Sequence, residues 1–344
     1  MSGIEITKLC RTWGDVEAVK DVSFTVPEKS FTVLLGPSGC GKSTLLRMIC
    51  GLESSTSGSV VIGGRDVTQE AAADRGVSMV FQSYALFPHL SVKENIQFGL
   101  KVRRVPKKER AERVKYAADV VGLGDLLDRK PSNLSGGQRQ RVALARSIVS
   151  EKSVCLMDEP LSNLDAKLRA EMRDQIRDLQ QRLGLTVVYV THDQVEAMSM
   201  ADQIVLLQSG EVVQISSPTQ LYNHPANTFA AQFIGVPPMN VLPLADVEQT
   251  KLPPPIQSQV TANPLAASIG IRPEQLEIVE HGLPVEVFAL DYFGGDSVIR
   301  VRHGEKALFI RTAGQPEVRI GDKFNIAWQA QNTHLFDQAD QIIR

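Results

Sequence analysis

Residues 36–44 read Gly-Pro-Ser-Gly-Cys-Gly-Lys-Ser-Thr, an order of residue types suited to holding phosphate. Gly36, Gly41, Lys42 and Ser43 are in register with the spacing of a phosphate-binding loop. Glycines let backbone N–H groups crowd around a triphosphate, so the whole run Gly36, Pro37, Ser38, Gly39, Cys40 and Gly41 is expected to wrap it. Lys42 would reach the β- and γ-phosphates, the Ser43 hydroxyl would sit on Mg²⁺, and Thr44 would open a helix whose positive dipole end faces the anion. A second group is Asp158-Glu159-Pro160, which ends the apolar run Val154-Cys-Leu-Met157. A carboxylate at the C-terminal edge of a central strand can hold Mg²⁺ through water, the expected role of Asp158. Glu159 points elsewhere and suits polarisation of an attacking water. A third group is Ser135-Gly136-Gly137-Gln138, placed directly before a helical run. That context aims backbone N–H groups and a helix dipole at an anion.

The flanking patterns supply the elements these groups need. Phe31-Thr-Val-Leu-Leu35 is a short apolar, β-branched run of the buried parallel-strand type. Ser43 to Gly51 reads as a helix that stops on glycine. Residues 1–30 are strand-rich, and a helical insert spans about 87–150. After Pro160, Leu161, Leu164, Leu168, Met172, Ile176, Leu179 and Leu183 recur every three or four positions up to Gly184, predicting one long amphipathic helix packed on the core. Strands over 185–191, 203–208 and 211–215 complete a sheet, and a helical stretch follows over 219–235. These features predict an α/β P-loop nucleotide-binding domain over residues 1–235.

Past Gly235 the texture changes. Pro237-Pro238 and Leu252-Pro-Pro-Pro-Ile256 read as breakers, and aliphatic alternation replaces helical periodicity. Val285-Glu-Val-Phe288, Ser297–Arg302, Lys306–Arg311 and Phe324–Trp328 read as short strands between Gly-rich turns. A barrel-like, all-β domain is predicted over 236–344.

In order along the chain, these groups resemble an ATP-binding cassette (ABC) ATPase, more narrowly the sugar- and glycerol-phosphate-importer branch. The resemblance implies a RecA-like core with an antiparallel β subdomain and a helical subdomain. Ile271-Arg-Pro-Glu274 resembles the marker of the family's oligonucleotide-binding-like C-terminal regulatory domain. Residue by residue, the resemblance implies that Trp13 stacks on adenine, where the family commonly has Tyr. It implies that Gln82 touches the metal and the attacking water and feels membrane subunits. Ser135, Gly136, Gly137 and Gln138 would contact the γ-phosphate bound by the opposite subunit, and Asp165 would lie in the loop that crosses the dimer interface. Asn163 departs from the family's usual Ala. His192 would contact the γ-phosphate and hold the catalytic arrangement together.

Composition bounds the partners. Net charge is −2 over 344 residues, and the region from 236 onward carries nine basic and thirteen acidic residues. That balance, with no aromatic stacking platform, no sustained heptads and no paired metal-ligand cysteines, argues against nucleic acid as partner. No run approaches 18 uninterrupted apolar residues, and the N-terminus does not read as a signal peptide, so a peripheral protein on the cytoplasmic side of the inner membrane is expected. Cys10, Cys40, Cys50 and Cys155 are scattered and expected to be reduced. The expected partners are a second copy of the chain, two membrane-spanning permease subunits, through them an extracytoplasmic solute-binding protein, and a regulatory protein at the C-terminal domain. Leu161–Arg169 and His334-Leu-Phe-Asp337 lean toward sugar or glycerol phosphate as cargo, with polyamine, iron(III) or sulfate import, and then a non-transport ATPase, as alternatives.

Overall fold

The structure is a computed structural model describing residues 3–248 and 251–343. The chain divides into two compact units, Met1–Pro218 and Thr219–Arg344. In the first unit the elements run β1 (Ile4–Trp13), β2 (Val16–Val26), β3 (Phe31–Leu35), α1 (Lys42–Cys50), β4 (Ser57–Ile62), β5 (Arg65–Asp66), β6 (Val77–Val80), α2 (Val92–Val102), α3 (Lys107–Val120) and α4 (Gly136–Ile148). They continue as β7 (Val154–Asp158), α5 (Ala166–Leu183), β8 (Thr186–Thr191), α6 (Gln194–Met200), β9 (Gln203–Gln208) and β10 (Glu211–Ser216).

Two sheets and a helical layer result. One is antiparallel in the order β2-β1-β4-β5. The other has six strands in the order β10-β9-β3-β8-β7-β6, parallel except for β10. Every residue of β3, β7 and β8 is buried, the signature of strands covered on both faces, and their continuous apolar composition follows from it. Parallel pairing aligns the C-terminal ends, with Leu35 opposite Thr191 and Asp158 opposite Val190. Whatever follows β3, β6, β7 and β8 therefore emerges along one edge, the position where open α/β sheets bind ligands.

Helices α2, α3 and α4 share a small apolar core that includes Val92, Ile96, Val114, Val142 and Leu179. Both α2 and α4 begin with capping boxes, Ser91 with Glu94 and Ser135 with Gln138, which fix where each helix starts. The long helix begins later than its leucine stripe suggests. Asp165 caps α5 by accepting from the Leu168 N–H at 3.0 Å, so Leu161 and Leu164 are buried in the preceding loop, outside the helix.

The second unit holds α7 (Pro218–Asn223), α8 (Thr228–Phe233), β11 (Asn240–Pro243), α9 (Pro254–Ala262), β12 (Ser268–Ile271), β13 (Glu277–Val279), β14 (Leu283–Tyr292), β15 (Asp296–His303), β16 (Lys306–Ala313), β17 (Lys323–Ala327) and β18 (His334–Phe336). The strands form sheets β11-β12-β18 and β13-β17-β14-β15-β16, antiparallel throughout, around a large apolar core, with a smaller cluster of Ala231, Met239 and Phe336 beside it. One detail differs from the sequence expectation. The prolines at 253–255 start α9, because a ring at the first helical position removes only an N–H that has no partner there. The fully buried Arg272 donates to the carbonyls of Tyr222, Ala231 and Ile234 and ties α7 and α8 to the end of β12.

Candidate nucleotide site

The loop between β3 and α1 is held tightly on one side. A Cβ built at Gly41 would lie 2.3 Å from the Ala18 carbonyl oxygen, and Gly41 has φ +98°. Both facts exclude a side chain there. Lys42 is buried, and its Nζ donates to the carbonyls of Gly36 at 2.8 Å and Pro37 at 2.9 Å, with Cys40 Sγ at 3.7 Å. The ammonium is thus satisfied inside the loop, at the base of a cleft of about 610 Å³. Ser38, Gly39, Ser43 and Thr44 line that cleft together with Trp13 and Glu159. Trp13 ends β1, is 44% exposed, and has the Arg11 guanidinium 5.1 Å from its ring centroid. Ser209 and Gly210, at the β9–β10 turn, line the same cleft. In sequence the only signal for them is the Ser209-Gly210 pair between two apolar strands, a turn in which Ser209 takes φ +51°.

The two carboxylates that follow β7 part company. Asp158 is buried and accepts from the Ser43 hydroxyl at 2.8 Å, with Arg47 Nη2 at 3.9 Å. Glu159 takes φ +42°, a left-handed conformation costing a non-glycine residue on the order of 1–2 kcal/mol. Its N–H donates to the Val190 carbonyl at 3.1 Å. Its carboxylate meets His192 Nδ1 at 3.2 Å and Gln82 Nε2 at 3.5 Å. Gln82 comes from the end of β6, Glu159 from β7 and His192 from β8, so three strand ends deliver one polar cluster.

The donor set fits Mg²⁺ bound with a nucleotide. Ser43 Oγ and Asp158 are hard oxygen donors already in contact, whereas no group of three or more His, Cys, Asp or Glu that could hold a metal occurs among the described residues. Mg²⁺ characteristically takes one or two protein oxygens plus phosphates and water, and does not need a cage of protein ligands.

Segment 162–165 is laced to this cluster. Ser162 Oγ donates to the Glu159 carbonyl at 2.9 Å and accepts from Gln82 Nε2 at 3.3 Å. Asn163, read from sequence as a neutral variant, donates through Nδ2 to the Gln82 carbonyl at 3.0 Å. Ser135, Gly136, Gly137 and Gln138 stand apart from the strand-end cluster, at the start of α4. Ser135 and Gln138 bond each other there, the Ser135 N–H to Gln138 Oε1 at 2.9 Å and the Gln138 N–H to Ser135 Oγ at 3.3 Å. The two glycines lie against α5 and its approach, where added Cβ atoms would come within 3.0 Å of Leu164 and 2.9 Å of Leu168. Within one chain this helix start has no part in the cleft lining.

Comparison with known proteins agrees with that geometry. The sequence profile of the ABC transporter family matches residues 19–162, and that of the TOBE domain matches 269–336. The chain is 45% identical to the sn-glycerol-3-phosphate import ATP-binding protein UgpC of Rhodopseudomonas palustris (strain BisB18), over 98% of this chain and 97% of that protein. It is 46% identical to the maltose/maltodextrin import ATP-binding protein MalK of Escherichia coli K12, over 98% and 96% respectively. Among solved structures, cbiO1 from Clostridium perfringens, part of the ABC transporter complex cbiONQ, aligns with a TM-score of 0.59 at 27% identity, covering 63% of this chain and 89% of that one.

Proposed function

The chain belongs to the ABC transporter family of ATP-binding subunits, and on that premise we propose that it energises import of a sugar or glycerol phosphate by ATP-driven closure of two copies. It is an ATPase. The observation that carries the mechanism is the separation, within one chain, of the phosphate cleft from the Ser135–Gln138 helix start. A phosphate in the cleft has Lys42 and the loop N–H groups on one side. Its remaining face would be met by Ser135, Gly136, Gly137 and Gln138 of a second copy, with Asp165 at the crossing. Closing then requires ATP, and hydrolysis releases the pair.

Within the cleft, Gly36 to Thr44 bind the triphosphate and Trp13 stacks on the base. Ser43, Asp158 (through water) and Gln82 would hold Mg²⁺, which neutralises charge on the β- and γ-phosphates. Glu159 Oε1 accepts the proton of the attacking water. His192 holds that carboxylate and faces the γ-phosphate, and Gln82 aligns the water from the other side. Gln82 and the following Tyr84 to His89 would pass closure to two membrane-spanning permease subunits. These subunits receive solute from an extracytoplasmic binding protein, which places this chain peripherally on the cytoplasmic face. No helix among the described residues is long and apolar enough to cross a membrane. The C-terminal unit, a TOBE-type β domain, would hold the two copies together and dock a regulator, raising the effective concentration of one cassette for the other.

Two full-length relatives named for glycerol phosphate and maltose import favour that cargo class over polyamine, iron(III) or sulfate. The deciding experiment on the mechanism is Glu159→Gln. ATP binding should persist, turnover should fall by about 10² or more, and a closed dimer should accumulate with ATP. Undiminished hydrolysis would remove Glu159 from the role of base.

A further inference from the structure

His192 sits between two residues that are both tied down. Thr191 Oγ1 donates to Glu196 Oε2 at 2.7 Å, and the Tyr189 hydroxyl donates to the same oxygen at 2.9 Å. Asp193 caps α6, its Oδ1 accepting from the N–H groups of Val195 at 2.7 Å and Glu196 at 3.3 Å. Its own N–H donates to Thr191 Oγ1 at 2.9 Å. One carboxylate oxygen of Asp193 remains, and Oδ2 accepts from Arg169 Nη1 at 3.2 Å. The second arm of that guanidinium, Nη2, donates to the Leu164 carbonyl at 3.1 Å. Arg169 thus spans from the segment before α5 to the residue that follows His192.

We propose that Arg169 is a positioning residue that transmits the placement of segment 162–165 to the His192 imidazole. The inference rests on the reading above, in which that segment lies at the contact between copies. A guanidinium is a rigid planar fork. A shift of the Leu164 carbonyl cannot be absorbed by one arm without disturbing the bond that the other arm makes to Asp193. Arg169 Nε is buried and has no partner among the described residues, so the hold of the fork rests on its two terminal arms. From Asp193 the chain of contacts is short, since His192 Nδ1 stands 3.2 Å from Glu159 Oε1. Arrival of the second copy at 162–165 would set the Glu159–His192 pair, so that an unpaired chain holds ATP with its catalytic groups misaligned.

The test uses the full chain with Arg169→Met, Arg169→Lys, Asp193→Asn and the Met/Asn double variant. Asn still caps a helix, so Asp193→Asn removes the charge while leaving the start of α6. ATP turnover is measured against ATP concentration, alongside nucleotide affinity and thermal unfolding. Arg169→Met is expected to lower kcat by roughly 10-fold or more, as small misplacements of catalytic groups do, with KM for ATP within about 2-fold. The Hill coefficient for ATP should fall from near 2 toward 1. Lys, which can hold one contact but not both, should recover part of the loss, and the double variant should be no worse than Arg169→Met alone. Unchanged kcat and cooperativity in Arg169→Met would overturn the proposal, as would losses that add in the double variant or that merely follow affinity and melting temperature. If Arg169→Met fails to fold, Arg169→Lys and Asp193→Asn carry the same comparison. A wild-type chain hydrolysing ATP without cooperativity would overturn the paired-site reading itself, whatever the variants did.

Discussion

Gly39 and Gly41 stand two residues apart in the phosphate loop and both have left-handed backbones, φ +82° and +98°, yet their surroundings differ completely. A Cβ at Gly39 meets nothing within 4 Å, while one at Gly41 lies 2.3 Å from the Ala18 carbonyl oxygen and 3.6 Å from Val19 Cγ2. Gly39→Ala therefore carries only the left-handed penalty of about 1–2 kcal/mol, offset by about 0.4–1 kcal/mol from the stiffer unfolded chain, for a net loss below about 1.5 kcal/mol. Gly41→Ala carries the same balance plus a clash with the backbone of β2, which no rotamer change can relieve. Overpacking of that kind adds about 1–3 kcal/mol, for a total near 3 kcal/mol. Both glycines line the cleft, so both substitutions should weaken ATP binding. They should differ in that Gly39→Ala loses ATP affinity while the fold persists. Denaturant unfolding and nucleotide titration of both variants give the comparison. Equal stability losses in the two variants would refute the claim that contact with β2 shapes the loop, and so would a stable Gly41→Ala chain.

Two further predictions concern buried titrating groups. Burial, with the nearby Arg272 and His224, pushes His334 down to about 4, so the folded chain refuses a proton that the unfolded chain accepts. Stability should be full above pH ~6.5 and fall as pH drops toward ~4, by roughly 1–2 kcal/mol once partial solvent access is discounted, and His334→Asn should flatten that slope in pH-dependent thermal unfolding. Burial raises the Glu196 carboxyl above its usual range, outweighing the Thr191 and Tyr189 hydroxyls that favour the charged form. The folded chain then binds this proton more tightly, so stability is lost as pH climbs above the ordinary carboxylate value; Glu196→Gln should gain on wild type as pH rises above that value, and parallel curves for the two would refute it.

How much of this was readable in the sequence depends on the range of the interaction. Loop 36–44 and the Asp158-Glu159 pair stand out because each follows a five-residue apolar strand, β3 or β7, and strand-then-turn is a local pattern. The start of α5 was hidden because Leu161 and Leu164 continue the apolar spacing of the helix; the Asp165 side-chain cap decides the boundary, and periodicity does not register a cap. Pro254 looked like a breaker because the same residue that ends helices also begins them. The role of Arg169 is not local. Its partner Asp193 lies 24 residues away, across β8, and only the packing of α5 and α6 brings the two together. Asn163 stands out only as a departure from Ala; its contact is hidden for the same reason, since it is with Gln82, 81 residues earlier.

The adjacent carboxylates Asp158 and Glu159 show why backbone strain belongs in this site. Asp158 still has strand geometry, so its side chain points inward and is committed to Ser43 at the head of α1. A normal strand residue next in line would continue the ladder with its carboxylate fixed by the pleat. The left-handed φ of Glu159 breaks the ladder at that point, while its N–H keeps one bond to the Val190 carbonyl. The turn swings the carboxylate toward His192 and Gln82, which come from the neighbouring strands on either side of β7. Relaxing Glu159 into a β conformation would gain the strain energy and lose both contacts. The Ser162 bonds to the Glu159 carbonyl oppose that relaxation, and they originate in the segment proposed to meet the second copy. On the proposed reading, the base would be held in its costly conformation by the segment that meets the second copy, so pairing and catalysis would depend on the same few hydrogen bonds.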